Sequence, residues 1–182
     1  VSIIYGVTFT IAKDVMPKYI DAYGFILLRA GGSMLLFWLV WFFMPKEKIA
    51  LKDFPRIIAA AFFGVAFNML TFFKGLSMTS PISAAVIMVS TPMIVLVLSA
   101  IIMKERMKKR MVFGIILGLI GTASLILYGK SIGDSAQSGL GNFLVLVNAI
   151  SYGFYLIIVK KLMNKYNAFT FVKWIYLFGF IM

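Results

Sequence analysis

A chain of 182 residues that is 62% hydrophobic and 13% charged, with a mean hydropathy of +1.00, lies outside the composition of water-soluble domains. Its net charge of +12 sits in short clusters between long apolar runs rather than on a continuous basic face, which argues against a nucleic-acid partner. Neither Cys nor His occurs, so disulfides, thiol chemistry, a histidine base and thiolate or imidazole metal sites are excluded, and neither a metal nor a cofactor is expected.

Seven apolar runs follow one another, at residues 1–12, 23–44, 57–73, 82–103, 111–128, 140–159 and 171–182. The middle five have the roughly twenty residues a helix needs to cross a hydrocarbon core. They are apolar on all faces, without the alternation of a membrane strand. The expected fold is therefore all-α, a polytopic membrane helix bundle with the lipid bilayer as a partner.

The first run holds Tyr5 and Thr8. In the second, Arg29 is the one charge well inside a complete span. It either snorkels toward the end that carries Asp14 and Asp21 or faces a cavity, where it suits an anionic group. The third run aligns Gly64, Asn68, Thr71 and Gly75 on one helix face. The glycines read as close packing, and Asn68 and Thr71 as candidates for a solute path. In the fourth, Pro92 removes a helical hydrogen bond and frees the carbonyl of Met88, with Ser90 and Thr91 beside this weak point. That pattern is either a static kink or a hinge with a site. Gly114, Gly118 and Gly121 in the fifth run form a small-residue stripe for tight helix packing or a homodimer contact.

The Gly- and Ser-rich segment 129–139 is the candidate linker between a first unit at 1–128 and a second at 140–182. In the sixth run Asn148, Ser151, Tyr152 and Tyr155 share one face. Polar groups are costly in lipid, so this stripe is either a cavity wall or a row of interhelical hydrogen bonds. No Asp or Glu lies inside any run, which leaves a carboxylate proton relay without support in this part of the chain.

The basic residues divide the loops. Those after the second, fourth and sixth runs hold Lys46, Lys48, Lys52, Arg56, Lys104, Arg106, Lys108, Lys109, Arg110, Lys160, Lys161 and Lys165. Those after the first, third and fifth hold only Lys13, Lys18, Lys74 and Lys130. The positive-inside rule puts the first set, and the N-terminus, in the cytoplasm. Trp38, Trp41 and Trp174 fall near that same surface, as interfacial tryptophans do.

The phrase "YGVTFTIAKDVMPKY" at 5–19 returns as "YGFYLIIVKKLMNKY" at 152–166, matching at Tyr5/Tyr152, Gly6/Gly153, Ile11/Ile158, Lys13/Lys160, Met16/Met163, Lys18/Lys165 and Tyr19/Tyr166. One period contains five runs, an odd number, so the second copy enters the membrane from the opposite side. Inverted repeats of this kind are a common plan of secondary transporters. Doubling the period predicts ten helices in ~290–300 residues, with this chain a fragment lacking the start of the first helix and most of the second unit.

The stretch "FFKGLSMTSPISAAVIMVSTPMIVLVLSAIIMKERMKKRMVFGIILGLIGTASLI" at 72–126 resembles an EamA-type repeat of the drug/metabolite transporter superfamily. The resemblance is carried by Gly75-Leu76, Thr79-Ser80, Thr91-Pro92, Glu105-Arg106 and the glycines of the fifth run. Leu28-Arg29 and the opening of the second unit, "GLGNFLVLVNAISYGFYLIIVKKL", add to it. It implies ten helices in two inverted five-helix halves and a cavity between them that carries solute. The expected function is a permease or exporter moving a small metabolite, amino acid or drug-like solute across the cytoplasmic membrane by alternating access. The first, third, fourth and sixth runs would line the path. A non-transporting membrane scaffold or receptor subunit is the alternative, and no enzyme activity is expected.

Overall fold

The computed structural model describes residues 2–16, 18–44, 47–104, 109–128 and 138–182. Its helices are α1 (Ser2–Val15), α2 (Ala22–Phe42), α3 (Phe54–Ala61), α4 (Phe67–Met78), α5 (Pro81–Val89), α6 (Thr91–Met103), α7 (Lys109–Tyr128), α8 (Ser138–Met163) and α9 (Ala168–Ile181). A 3-10 turn at Leu51–Asp53 leads into α3, and a π-helical turn at Phe62–Ala66 joins α3 to α4, so 51–78 forms one long rod. Among the described residues all regular structure is helical. Four stretches, Ala22–Phe42, Leu51–Met78, Pro81–Ile102 and Ser138–Met163, are long and apolar enough to cross a membrane, and Ala168–Ile181 is a shorter apolar helix. The chain is a polytopic helical membrane protein.

Local chemistry sets the helix ends. Pro55 occupies the first turn of α3, where its missing N–H costs nothing. Ser80 caps α5 by accepting the Ser83 N–H at 3.1 Å, with Pro81 as the first helical residue. Asn167 caps α9 through the Phe169 N–H at 3.1 Å. The helices outrun the apolar segments because such polar and charged ends lie beyond the hydrocarbon. The third helix begins before residue 57 and runs past 73, and α9 starts at Ala168 rather than 171. Of the expected linker, 129–137 lies outside the described residues, and α8 already opens at Ser138.

Burial separates core helices from lipid-facing ones. Half of the apolar window in 51–78 is buried and 44% of that in α8, against 6% in α2. The centre of the bundle is thus the 51–78 rod packed against α8, with α9 on the flank they share with α2. Ile57, Ala60, Leu76, Val145, Ala149, Leu162, Phe171 and Ile175 are all buried there. On α2, Leu27, Leu28, Leu35, Leu36 and Leu39 stay exposed within the chain and suit contact with lipid tails.

Contacts also sort the loops. At one end, segments 47–53 and 165–167 meet: the Asn167 N–H donates to Glu47 at 3.0 Å and the Ala50 N–H to the Tyr166 hydroxyl at 3.2 Å. These loops carry many of the basic residues. At the other end, Lys13 Nζ donates to the carbonyls of Leu76 and Ser77 at 3.0 and 2.7 Å, a cation on the exposed C-terminal carbonyls of α4. The start of α8 lies at that same end, with Gly141 against Gly75 and Asn142 accepting from the Thr79 hydroxyl. The α1 C-terminus and the α8 N-terminus therefore share an end. The two helices that carry the repeated phrase run in opposite directions.

Candidate functional site

The rod and α8 meet along an antiparallel seam. Gly75 faces Gly141 so closely that the Gly141 carbonyl would touch any Cβ placed at 75. Further along, Gly64 lies flat against the Tyr155 ring. Between these two points the helices exchange polar groups. The Asn148 side-chain amide donates to the Asn68 carbonyl at 2.9 Å, and the Asn68 amide to the Asn148 carbonyl at 3.4 Å. This reciprocal pair registers the two helices near mid-span.

The π-helical turn beside Gly64 has a visible partner. A π-turn shifts the helical hydrogen-bond ladder by one residue and exposes a carbonyl to other donors. Here the Ser151 hydroxyl donates to the Phe63 carbonyl at 2.7 Å. Gly179 of α9 packs against Val65 on another side of the turn. The sequence reading missed this element; the adjacent aromatic pair Phe62-Phe63 followed by Gly64 is its one visible sign.

Above the seam lies a cavity of about 340 Å³. Thr8 comes from α1, Arg29 from α2, Gly64, Asn68, Met69, Phe72 and Phe73 from the rod, Met88 from α5, Asn148 and Tyr152 from α8, and Tyr176 from α9. Residues from before 128 and from after 138 both contribute. Of the residues singled out from sequence, Thr8, Arg29, Asn68, Asn148 and Tyr152 converge on this one space. The apolar wall of Met69, Phe72, Phe73, Met88 and Tyr176 was not anticipated, because an apolar residue in an apolar helix carries no mark of which face it occupies.

Other candidates have different surroundings. Thr71 is buried, and its hydroxyl turns back on its own helix, donating to the carbonyls of Phe67 and Asn68 at 2.8 and 3.1 Å. Ser151 is committed to Phe63, and Tyr155 fills the notch at Gly64 while stacking on Tyr152 at 5.7 Å. Tyr5 lies within α1, but its side chain is outside the described residues.

Pro92 coincides with a break: α5 ends at Val89 and α6 starts at Thr91. Tighter i to i+3 bonds flank the joint, Ser90 N–H to Ile87 and Met93 N–H to Ser90, both 3.0 Å. Ser90 and Thr91 are buried at this joint, outside the cavity wall.

The glycines of α7 differ in their surroundings within the chain. Gly118 takes the Met93 side chain, whereas a Cβ at Gly114 or Gly121 meets nothing among the described residues. Packing within the chain thus accounts for Gly118 alone.

Arg29 had two readings from sequence. Among the described residues its guanidinium pairs with neither Asp14 nor Asp21; it stacks over the Phe73 ring at 5.5 Å and borders the cavity. Among the described lining residues it brings the only charge. The Asn148 Oδ1 is buried and has no hydrogen-bond partner among the described residues. Its orientation follows from the bond its own amide makes, because a flip would set two oxygens against each other.

Two clusters at the basic end escaped the sequence reading. Asp53 is 1% exposed and receives Tyr166 Oη at 2.9 Å, Lys165 Nζ at 3.2 Å from both oxygens and Arg56 at 3.3 Å. Lys173 is buried among Trp38, Trp41 and Trp174, its Nζ 3.2 Å from the Trp41 ring centre. Desolvated cation–π contact of this kind is worth about 2 kcal/mol. Among the described residues no group of His, Cys, Asp or Glu has metal-binding geometry.

Residues 1–127 match the family described as the EamA-like transporter family. The chain belongs to the EamA-like transporter family. It is 26% identical over 158 residues to the uncharacterized transporter YetK of Bacillus subtilis strain 168, covering 86% of this chain and 47% of that protein. An uncharacterized transporter of Archaeoglobus fulgidus is 28% identical over 167 residues, covering 91% and 57%. The uncharacterized transporter YyaM of Bacillus subtilis strain 168 is 30% identical over 167 residues, covering 88% and 53%. The chain thus spans about half the length of the curated relatives it matches. No solved structure matches it.

Proposed function

We propose that this chain is part of a secondary transporter that moves a small metabolite, amino acid or drug-like solute across the cytoplasmic membrane by alternating access, with the basic loops inside. The observation that carries the reading is the cavity near mid-span, whose polar groups come from both sequence units. Polar side chains at that depth are costly unless they face protein or water, and a path between inverted units is where transporters place their sites.

Alternating access needs a closed end, and the Asp53 cluster suits that role. It ties the start of the rod, in the first unit, to the segment after α8, in the second. Lys165 and Tyr166 are the repeat partners of Lys18 and Tyr19. Inversion assigns Lys18 and Tyr19 the corresponding role at the opposite end, where Tyr19 is 73% exposed.

The test is solute flux into liposomes carrying the full-length protein, across a panel of organic acids, amino acids, amines and neutral amphiphiles. Saturable flux of at least one is expected. None across the whole panel would leave the scaffold or receptor-subunit reading.

A further inference from the structure

Resting on the transporter reading, we infer that the cavity selects small amphipathic organic acids that carry a hydrogen-bond donor close to the carboxylate. Three features of the lining lead there. First, Arg29 is its sole charge among the described residues, and among those residues no carboxylate neutralises it. A guanidinium repels a cation and offers a carboxylate two parallel hydrogen bonds.

Second, Asn148 is one of the lining residues, only 2% exposed, and its Oδ1 is a buried acceptor with no hydrogen-bond partner among the described residues. A buried acceptor without a donor is unfavourable, and the penalty disappears when a bound solute supplies an O–H or N–H. The neighbouring Asn68 amide is turned to the Asn148 main-chain carbonyl, and none of its donors reaches Oδ1.

Third, Met69, Phe72, Phe73, Met88 and the Tyr176 ring give the wall an apolar part, made adaptable by two thioethers. The volume of about 340 Å³ stands at the low end of the ~300–1,000 Å³ range of small-molecule sites and suits a compact solute. An acid with a compact aromatic or branched aliphatic body satisfies all three. A simple amine lacks the anion, and a simple alcohol lacks the partner for Arg29.

The experiment uses full-length protein and four probes of nearly equal size: 3-phenyllactate, 3-phenylpropionate, phenethylamine and 2-phenylethanol. Binding is read as ligand-dependent thermal stabilisation in detergent, and transport as counterflow in liposomes. Phenyllactate should bind most tightly, phenylpropionate about tenfold more weakly for want of its donor, and the other two should not compete. Arg29→Gln should weaken both acids at least tenfold, with partial recovery in Arg29→Lys. Asn148→Ala should bring the two acids to the same affinity. Should that variant fold poorly, Arg29→Gln, at an exposed position, carries the comparison alone.

Equal binding of the amine or the alcohol, or acid binding indifferent to Arg29→Gln, overturns the assignment while flux of some other solute leaves the transporter reading standing. Absence of all flux removes that reading instead.

Discussion

At the scale of single residues, the seam between the rod and α8 depends on missing side chains as much as on present ones. Gly75→Ala would drive a Cβ into the Gly141 carbonyl, a backbone atom that cannot swing aside. The expected cost is about 1–3 kcal/mol, seen as a lower melting temperature of the detergent-purified protein. Gly114→Ala has open space around it and gains helix propensity, so it should leave melting unchanged or raise it by up to about 1 kcal/mol. A matching loss at both positions would show that an unseen neighbour covers Gly114.

The same scale shows why the site was only partly legible. Asn68, Asn148, Tyr152, Thr8 and Arg29 stood out because polar groups in an apolar helix need a reason. That rule marks a residue without saying what satisfies it. Thr71 and Ser151 obeyed it equally well and are satisfied by backbone carbonyls.

Among the elements, the α5–α6 joint and the π-helical turn are the places where the ladder of main-chain bonds is interrupted. The first was readable in advance, since proline cannot donate. The second was not, since a π-turn depends on a donor from another helix arriving at the right height. Pro92→Ala restores a donor and lets a single continuous helix form through Ser90. Transport should slow several-fold while membrane insertion is unaffected, as judged by flux and by yield of folded protein. Unchanged flux would reduce the joint to a fixed bend. Ser151→Ala leaves the Phe63 carbonyl without its donor and should lower stability by about 1–3 kcal/mol, measured by thermal melting.

For the whole molecule, the helical membrane class was legible from hydropathy alone, because lipid demands satisfied backbone over a set length. Which helices are central was not, since lipid and protein interior are equally apolar; burial had to come from contacts. Asp53 was likewise invisible as a tie, being separated by more than a hundred residues from Lys165 and Tyr166. Asp53→Asn removes its charge and should loosen the basic end. These 182 residues contain no cysteine, so Asn164→Cys in the full-length protein, with any cysteine outside them changed to serine, gives a single reporter. Its labelling by a membrane-impermeant maleimide should rise several-fold in Asp53→Asn, and unchanged labelling would free the cluster of any closing role.

The pairing of the rod with α8 has a consequence for biosynthesis. The ribosome delivers Phe63 and Asn68 well before it makes Ser151 and Asn148, and in the interval the exposed Phe63 carbonyl and the Asn68 side chain lack those partners. The nascent 51–78 rod must then wait beside the insertion machinery, or run as a regular α-helix, until α8 arrives. Maturation of the earlier unit is thereby postponed until translation has entered the later one, and a ribosome stalled between them would leave a half-membrane intermediate with an unfilled notch at Gly64 for quality-control proteases to recognise.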